Sequence, residues 1–217
     1  MRQLKFDIPL DAPFRILCLG AHSDDIEIGC GGFLQRLLAE RPLVSCHWVV
    51  LGANSDRRAE EARVSAEAML VPAKRREIVV KGFRDSYFPY IGVEIKEYFE
   101  TLKSVKPDLI LTHARHDLHQ DHRTVCELTH NIFRDHLVWE YEIPKYDGDL
   151  GAPNVFVGLD KSSCEKKVQH LREHFGSQQN RQWYSDDTFW ALLRLRGIES
   201  NSPGGYAEGF YCRKLLF

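Results

Sequence analysis

The chain predicts an α/β fold, a doubly wound and mostly parallel sheet with helices on both faces, on three observations. Short apolar runs of strand length alternate with amphipathic helical stretches over the first two-thirds of the sequence. At 217 residues with 43% apolar and 28% charged residues, the chain suits one domain with an ample core. No internal repeat, low-complexity tract or long linker interrupts it. The whole chain, 1–217, therefore reads as a single domain, with a core over about 13–145 and a C-terminal α/β elaboration over about 146–217.

The elements follow in order. Arg15–Ala21 (RILCLGA) is the first strand, and FLQRLLAE from Phe33 is the first helix, with Phe33, Leu34, Leu37 and Leu38 on one face. Ser45–Ala53 gives strand two, and the Ala/Glu/Arg-rich stretch Arg57–Leu70 gives a helix that stops near Pro72. Glu77–Lys81 is strand three and Ile91–Val105 a helix with a stripe of Ile95, Phe99 and Leu102. Pro107 leads into strand four, DLILTH, and a helix follows from Asp121, which is expected to cap it. Val138–Tyr146 and Asn154–Leu159 read as strands, Asp160 as the cap of a helix carrying Cys164, Val168, Leu171 and Phe175. A last helix near Asp186–Arg196 precedes the extended segment Tyr206–Phe217. This is a Rossmann-like plan, in which ligands bind beyond the carboxyl ends of the strands.

Composition excludes several classes of function. A net charge of −2 provides no field to attract nucleic acid or an anionic membrane. No apolar run approaches the roughly 18 residues of a membrane span, so no stable membrane insertion is expected. The N-terminus MRQLKFDIPLDAPF does not have the form of a signal peptide, so a cytoplasmic protein is expected. The 6 cysteines are dispersed with no C-x-x-C pair, as for reduced and buried thiols.

Histidine is the unusual residue: there are 10, and His113, His116, His119 and His122 recur every third position. Along a continuous helix that spacing would turn each ring about 60° from the last, so the segment reads as a loop entering a helix near His122. It follows strand four. Strand one is followed by His22-Ser23-Asp24-Asp25 and the glycines of Gly29-Cys30-Gly31-Gly32. A phosphate cradle fits the glycines poorly, because they lie beyond the strand end and two carboxylates precede them. Together the clusters supply what catalytic zinc requires: two His and one carboxylate as ligands, a second carboxylate as base, and a further His as electrophile. Spacing does not separate Asp24 from Asp25, or His119 from His122.

AHSDDIEIGCGG is similar to the A-H-P-D-D motif, and HQDHR after KPDLILTH to the H-x-D-H motif, of the PIG-L/LmbE-like zinc-dependent de-N-acetylases. The order of the motifs and their separation of about one hundred residues make the pair specific, and the likeness extends to Ser177-Gln178 and to Tyr206-Ala-Glu208-Gly-Phe210. The resemblance implies one Zn2+ per chain, bound by His22, Asp25 and His122. It implies Asp24 as general base, His119 as the group that stabilises the tetrahedral intermediate or acts as acid, and Asp121 as a support for His119 or a ligand. Arg57 or Arg58, and Asp85, fall where family members contact the sugar. The implied reaction is removal of the N-acetyl group from an N-acetylglucosamine-type sugar or conjugate by attack of metal-bound water, and the family often assembles into homo-oligomers. Ser23 stands where the family usually has proline.

Two competing readings are a non-catalytic metal- or sugar-binding protein of the same fold and a nucleotide-dependent enzyme. Outside the motifs, Phe83–Tyr90 reads as a loop reaching over the site, and His113 and His116 as residues that shape the second motif. Trp139, Tyr141, Tyr146, Trp183, Tyr184 and Trp190 read as core or interface rather than sugar platforms, and His47 as a satisfied core residue.

Overall fold

The computed structural model describes residues 5–216; residues 1–4 and 217, the ends of the expected domain and of its last extended segment, lie outside them. Seven strands, β1 (Phe14–Gly20), β2 (Val44–Val50), β3 (Arg75–Val80), β4 (Leu109–His113), β5 (Val138–Tyr141), β6 (Val155–Leu159) and β7 (Tyr206–Cys212), form one sheet ordered β3-β2-β1-β4-β5-β7-β6. The first five in that order are parallel, and β7 runs antiparallel between β5 and β6.

The helices are α1 (Asp25–Glu40), α2 (Asp56–Met69), α3 (Gly92–Thr101), α4 (Gln120–Ile132), α5 (Lys161–His174) and α6 (Asp186–Glu199). Side chains of β1 alternate between two cores, as a strand's period of two dictates. Phe14, Ile16 and Cys18 pack with α1, α2, α5 and α6, whereas Leu17 and Leu19 pack with α3 and α4. The sheet is thus covered on both faces, as the sequence predicts. No helix among the described residues is long and apolar enough to cross a membrane.

Several boundaries differ from expectation for local reasons. Helix α1 begins at Asp25, so the glycines lie inside it, with a break at Cys30 (φ −144°, ψ 17°). They answer to close packing: a Cβ on Gly29 would stand 2.1 Å from the Tyr141 ring, and one on Gly32 2.5 Å from Leu159. Helix α4 is capped by His119 rather than Asp121, because the Asp121 carboxylate is drawn into the site. Strand β5 ends at Tyr141, three residues before Pro144, and β7 at Cys212. Asp160 caps α5 as expected, accepting from Ser163 N. His47 Nδ1 pairs with Glu77 at 3.2 Å, while its Nε2 has no partner among the described residues. Trp139 packs in the core against Phe6, Phe33 and Phe210.

Candidate metal centre and active site

The winding reverses between β1 and β4, and this switch point brings the two sequence clusters together at the carboxyl ends of adjacent strands. His22 follows β1, Asp24 and Asp25 open α1, His113 ends β4, and His119, Asp121 and His122 enter α4. All except His119 are buried.

The central geometry is a triangle of donors. His22 Nδ1 lies 3.1 Å from His122 Nε2 and 3.4 Å from Asp25 Oδ2, and His122 Nε2 lies 3.6 Å from Asp25 Oδ2. Ligand atoms roughly 2.0–2.2 Å from a tetrahedral zinc stand about 3.3–3.6 Å apart, so the triangle has the right size. Proton bookkeeping points the same way. His22 Nε2 faces Asp85 Oδ1 at 3.1 Å and Asp121 Oδ2 at 3.2 Å, and His122 Nδ1 faces Asp117 Oδ2 at 2.8 Å. Each of these nitrogens therefore carries the proton and donates it to a carboxylate. Burial works against a charge on His22, but Asp25, with Asp121 and Asp85, raises its pKa well above the usual imidazole value. Without a cation, its Nδ1 proton therefore points to His122 Nε2, and a cation between them would take that proton's place. Burial and His113 push the His122 pKa down to about 3, which keeps that ring neutral.

Carboxylates dominate the surroundings. Burial works against the charge of Asp25, but His122, His113 and His22 hold its pKa well below the usual range. Burial likewise opposes Asp117, which the His122 hydrogen bond, with His113 and Lys145, holds low. The hydrogen bond from His22 brings Asp85 down to about 2. Asp24 differs: burial raises its pKa against the opposing Arg58 guanidinium. Its Oδ1 accepts from Arg58 Nη2 at 2.9 Å, while Oδ2 has no partner among the described residues. This carboxylate is held at one oxygen and open at the other.

His119 is partly exposed, and burial followed by the neighbouring His22 lowers its pKa. Its Nδ1 accepts from Asp121 N at 3.2 Å, so the neutral ring carries its proton on Nε2 and is a hydrogen-bond donor. The Asp121 carboxylate receives Ser86 N (2.6 Å) and Phe88 N (3.1 Å), which ties the 83–90 loop to the candidate donor cluster. Of the two arginines, Arg58 reaches the cluster. Arg57 is 67% exposed and pairs with Glu61. The Ser23 hydroxyl accepts from Arg58 Nε at 3.4 Å, a contact that proline could not make.

Two supporting residues carry more than the sequence indicated. His113 lies 3.2 Å from Asp25 Oδ2, accepts from Ala21 N at 3.0 Å and stacks on His122 at 3.9 Å. Asp117 receives both His122 Nδ1 and, at 2.8 Å, His119 N. Its place two residues before His119 and five before His122 was the available signal. His116 instead packs edge-on against Tyr211. A separate group, Cys126, His130 and Glu140, has metal-ligating residue types, but Glu140 is already occupied by His130, Arg213 and Arg115 N. Burial, with Glu140 adding to it, raises the Cys126 thiol pKa, so this group reads as an ion-pair network.

Residues 17–133, which span both clusters, match the family described as PIG-L: GlcNAc-PI de-N-acetylase. The chain belongs to the PIG-L family. A diacetylchitobiose deacetylase of Thermococcus kodakarensis is 28% identical over 138 residues, 55% of this chain and 50% of that protein. The match thus spans half the length of that relative. The N,N'-diacetylchitobiose deacetylase of Pyrococcus horikoshii, solved with an inhibitor, superposes with a TM-score of 0.71 at 20% identity, covering 96% of this chain and 87% of that one. GalB, the 4-carboxy-2-hydroxymuconate hydratase of Pseudomonas putida KT2440, superposes at 0.73 with 18% identity, covering 94% and 98%. The fold of this PIG-L chain is therefore shared by a deacetylase and a hydratase, and its chemistry has to be argued from its site.

Proposed function

We propose that the chain is a zinc-dependent hydrolase that removes the N-acetyl group from an N-acetylglucosamine-type sugar or sugar conjugate, releasing acetate and a free amine. The observation that carries this is the donor triangle of His22 Nδ1, Asp25 Oδ2 and His122 Nε2 beside a half-free Asp24. The PIG-L match and the named activity of the Thermococcus relative support it.

One zinc, held by His22, Asp25 and His122, would supply Lewis acidity that polarises the amide carbonyl and lowers the pKa of water. Asp24 acts as general base: Arg58 fixes one oxygen, and Oδ2 takes the proton as the water oxygen attacks the carbonyl carbon. His119 donates its Nε2 proton as a hydrogen bond to the carbonyl oxygen as charge develops there. The C–N bond then breaks, the nitrogen gains the proton held by Asp24, and acetate leaves. Asp121 orients both groups, with its carboxylate on His22 and its backbone N–H on His119. Arg58 and the 28% exposed Asp85 side chain are assigned to sugar hydroxyls.

The test is an acetate- and amine-release screen over N-acetylated sugars, sugar conjugates and glycopeptides, before and after chelation. Equimolar acetate and amine, lost on chelation and restored by zinc, is expected. Retained metal without release from any substrate would favour a non-catalytic binding protein.

A further inference from the structure

Helix α1 carries Asp24 and Asp25 at its start and breaks five residues further on at Cys30. Such a break disrupts the backbone ladder, and the freed groups must be satisfied when buried. Here they are satisfied by two side chains from the C-terminal third of the protein. Glu208, on β7, accepts Gly32 N at 2.8 Å through one oxygen and Phe33 N at 2.6 Å through the other. Lys167, on α5, donates to Ile28 O at 2.6 Å, the carbonyl that an unbroken helix would pair with Gly32 N. Lys167 Nζ and Glu208 Oε1 are themselves 2.6 Å apart, and both side chains are buried. Cys30 Sγ takes a further carbonyl, Ile26 O, at 3.1 Å.

We propose that Lys167 and Glu208 are positioning residues: their buried ion pair replaces the hydrogen bonds of the broken helix and fixes the turn of Asp25–Gly29 that bears Asp24 and Asp25. The turn is held from both sides, because Gly29 packs directly on the Tyr141 ring at its far end. The pair touches none of the candidate ligands and no candidate substrate contact. It acts through the direction of one helical turn, and a shift of about 1 Å in such a group costs on the order of a hundredfold in rate. This gives the C-terminal Tyr206-Ala-Glu208-Gly-Phe210 segment a role in the site, and it rests on the deacetylase reading.

Removing one partner would strand a buried charge, so the test removes both, as Lys167→Met/Glu208→Gln. Zinc affinity is measured by chelator competition and turnover by acetate release, each against the wild-type protein. The double variant is expected to bind zinc at least tenfold more weakly and to lose at least tenfold in kcat. KM should stay within threefold, because Arg58 and Asp85 lie on other elements. Should that variant fail to fold, Gly32→Ala serves, since its Cβ would stand 3.1 Å from Glu208 Oε1 and 2.5 Å from Leu159 Cδ1 and displace the carboxylate without removing it. Variants that fold with zinc affinity and kcat within twofold of wild type would overturn the proposal and leave the pair a fold-supporting role only. A wild-type protein that takes up no zinc would sink the deacetylase reading itself, an outcome read before any variant is compared.

Discussion

Replacing Asp117 by Asn tests how the donor triangle is built. Asp117 is buried and accepts three donors, His122 Nδ1 and, at 3.0 Å, Lys145 Nζ through Oδ2, and His119 N through Oδ1. An asparagine presents one acceptor and one NH2, so either His119 N, or His122 Nδ1 together with Lys145, keeps its partner, and not both sides. If the carbonyl stays on His119 N, the amide donor faces His122 Nδ1 and Lys145, and the imidazole moves its proton to Nε2, the atom proposed to bind metal. If the amide flips, His119 N is orphaned at the start of α4. Losing one hydrogen bond to a charged group costs about 1.5–3 kcal/mol. That agrees with the 10–100-fold loss of metal affinity, about 1.4–2.7 kcal/mol, typical when a carboxylate behind a ligating His is removed. Chelator competition at pH 7.5 should therefore show zinc bound 10–100-fold more weakly by Asp117→Asn, with the circular dichroism spectrum unchanged. Binding within twofold of wild type would refute the tautomer argument.

Other perturbations separate local roles. Arg58→Ala should lower kcat/KM at least tenfold by freeing Asp24 Oδ1, whereas Arg57→Ala should stay within threefold, its partner being Glu61 alone; equal losses would contradict the assignment. Gly29→Ala should lower Tm by about 5 °C or more, because its Cβ meets the Tyr141 ring, while Gly31→Ala, with only ordinary contacts to Met69 and Lys167, should leave Tm nearly unchanged. Glu27 is buried, and burial raises its pKa from 4.5 to about 8. The unfolded chain thus ionises first, so this group's stability contribution is complete below pH 4.5 and is lost as pH rises towards 8. Glu27→Gln should gain on wild type in urea unfolding by up to the order of 3–5 kcal/mol between pH 4.5 and 8.5, and parallel pH profiles would show that Glu27 is not neutral when folded.

The fold and the two residue clusters that meet at the strand ends were legible because each rests on local pattern. Alternating strands and helices gave the parallel core, and the rule for strand ends pointed to the segments after β1 and β4. What escaped depends on distant partners. The glycines of α1 look like a turn until Tyr141, Leu159 and Glu208 are seen against them. Asp121 looks like a helix cap, but Ser86, Phe88 and His22 claim its carboxylate. Adjacent arginines are equivalent in a sequence; helical rotation turns Arg58 to Asp24 and Arg57 to Glu61. His113 reads as one more residue of a histidine run until β4 ends directly beneath Asp25 and His122.

The most direct measurement compares acetate release by the zinc-saturated protein and its Asp24→Asn variant, with zinc content determined on the same samples. Asp24 lies beside the donor triangle without belonging to it, so the variant should retain zinc equal to wild type and lose 10²–10⁴-fold in rate, about the range of general acid–base catalysis. Wild-type acetate release from Asp24→Asn would contradict the proposed mechanism, and no acetate from the zinc-saturated wild type on any N-acetylated sugar would contradict the proposed function.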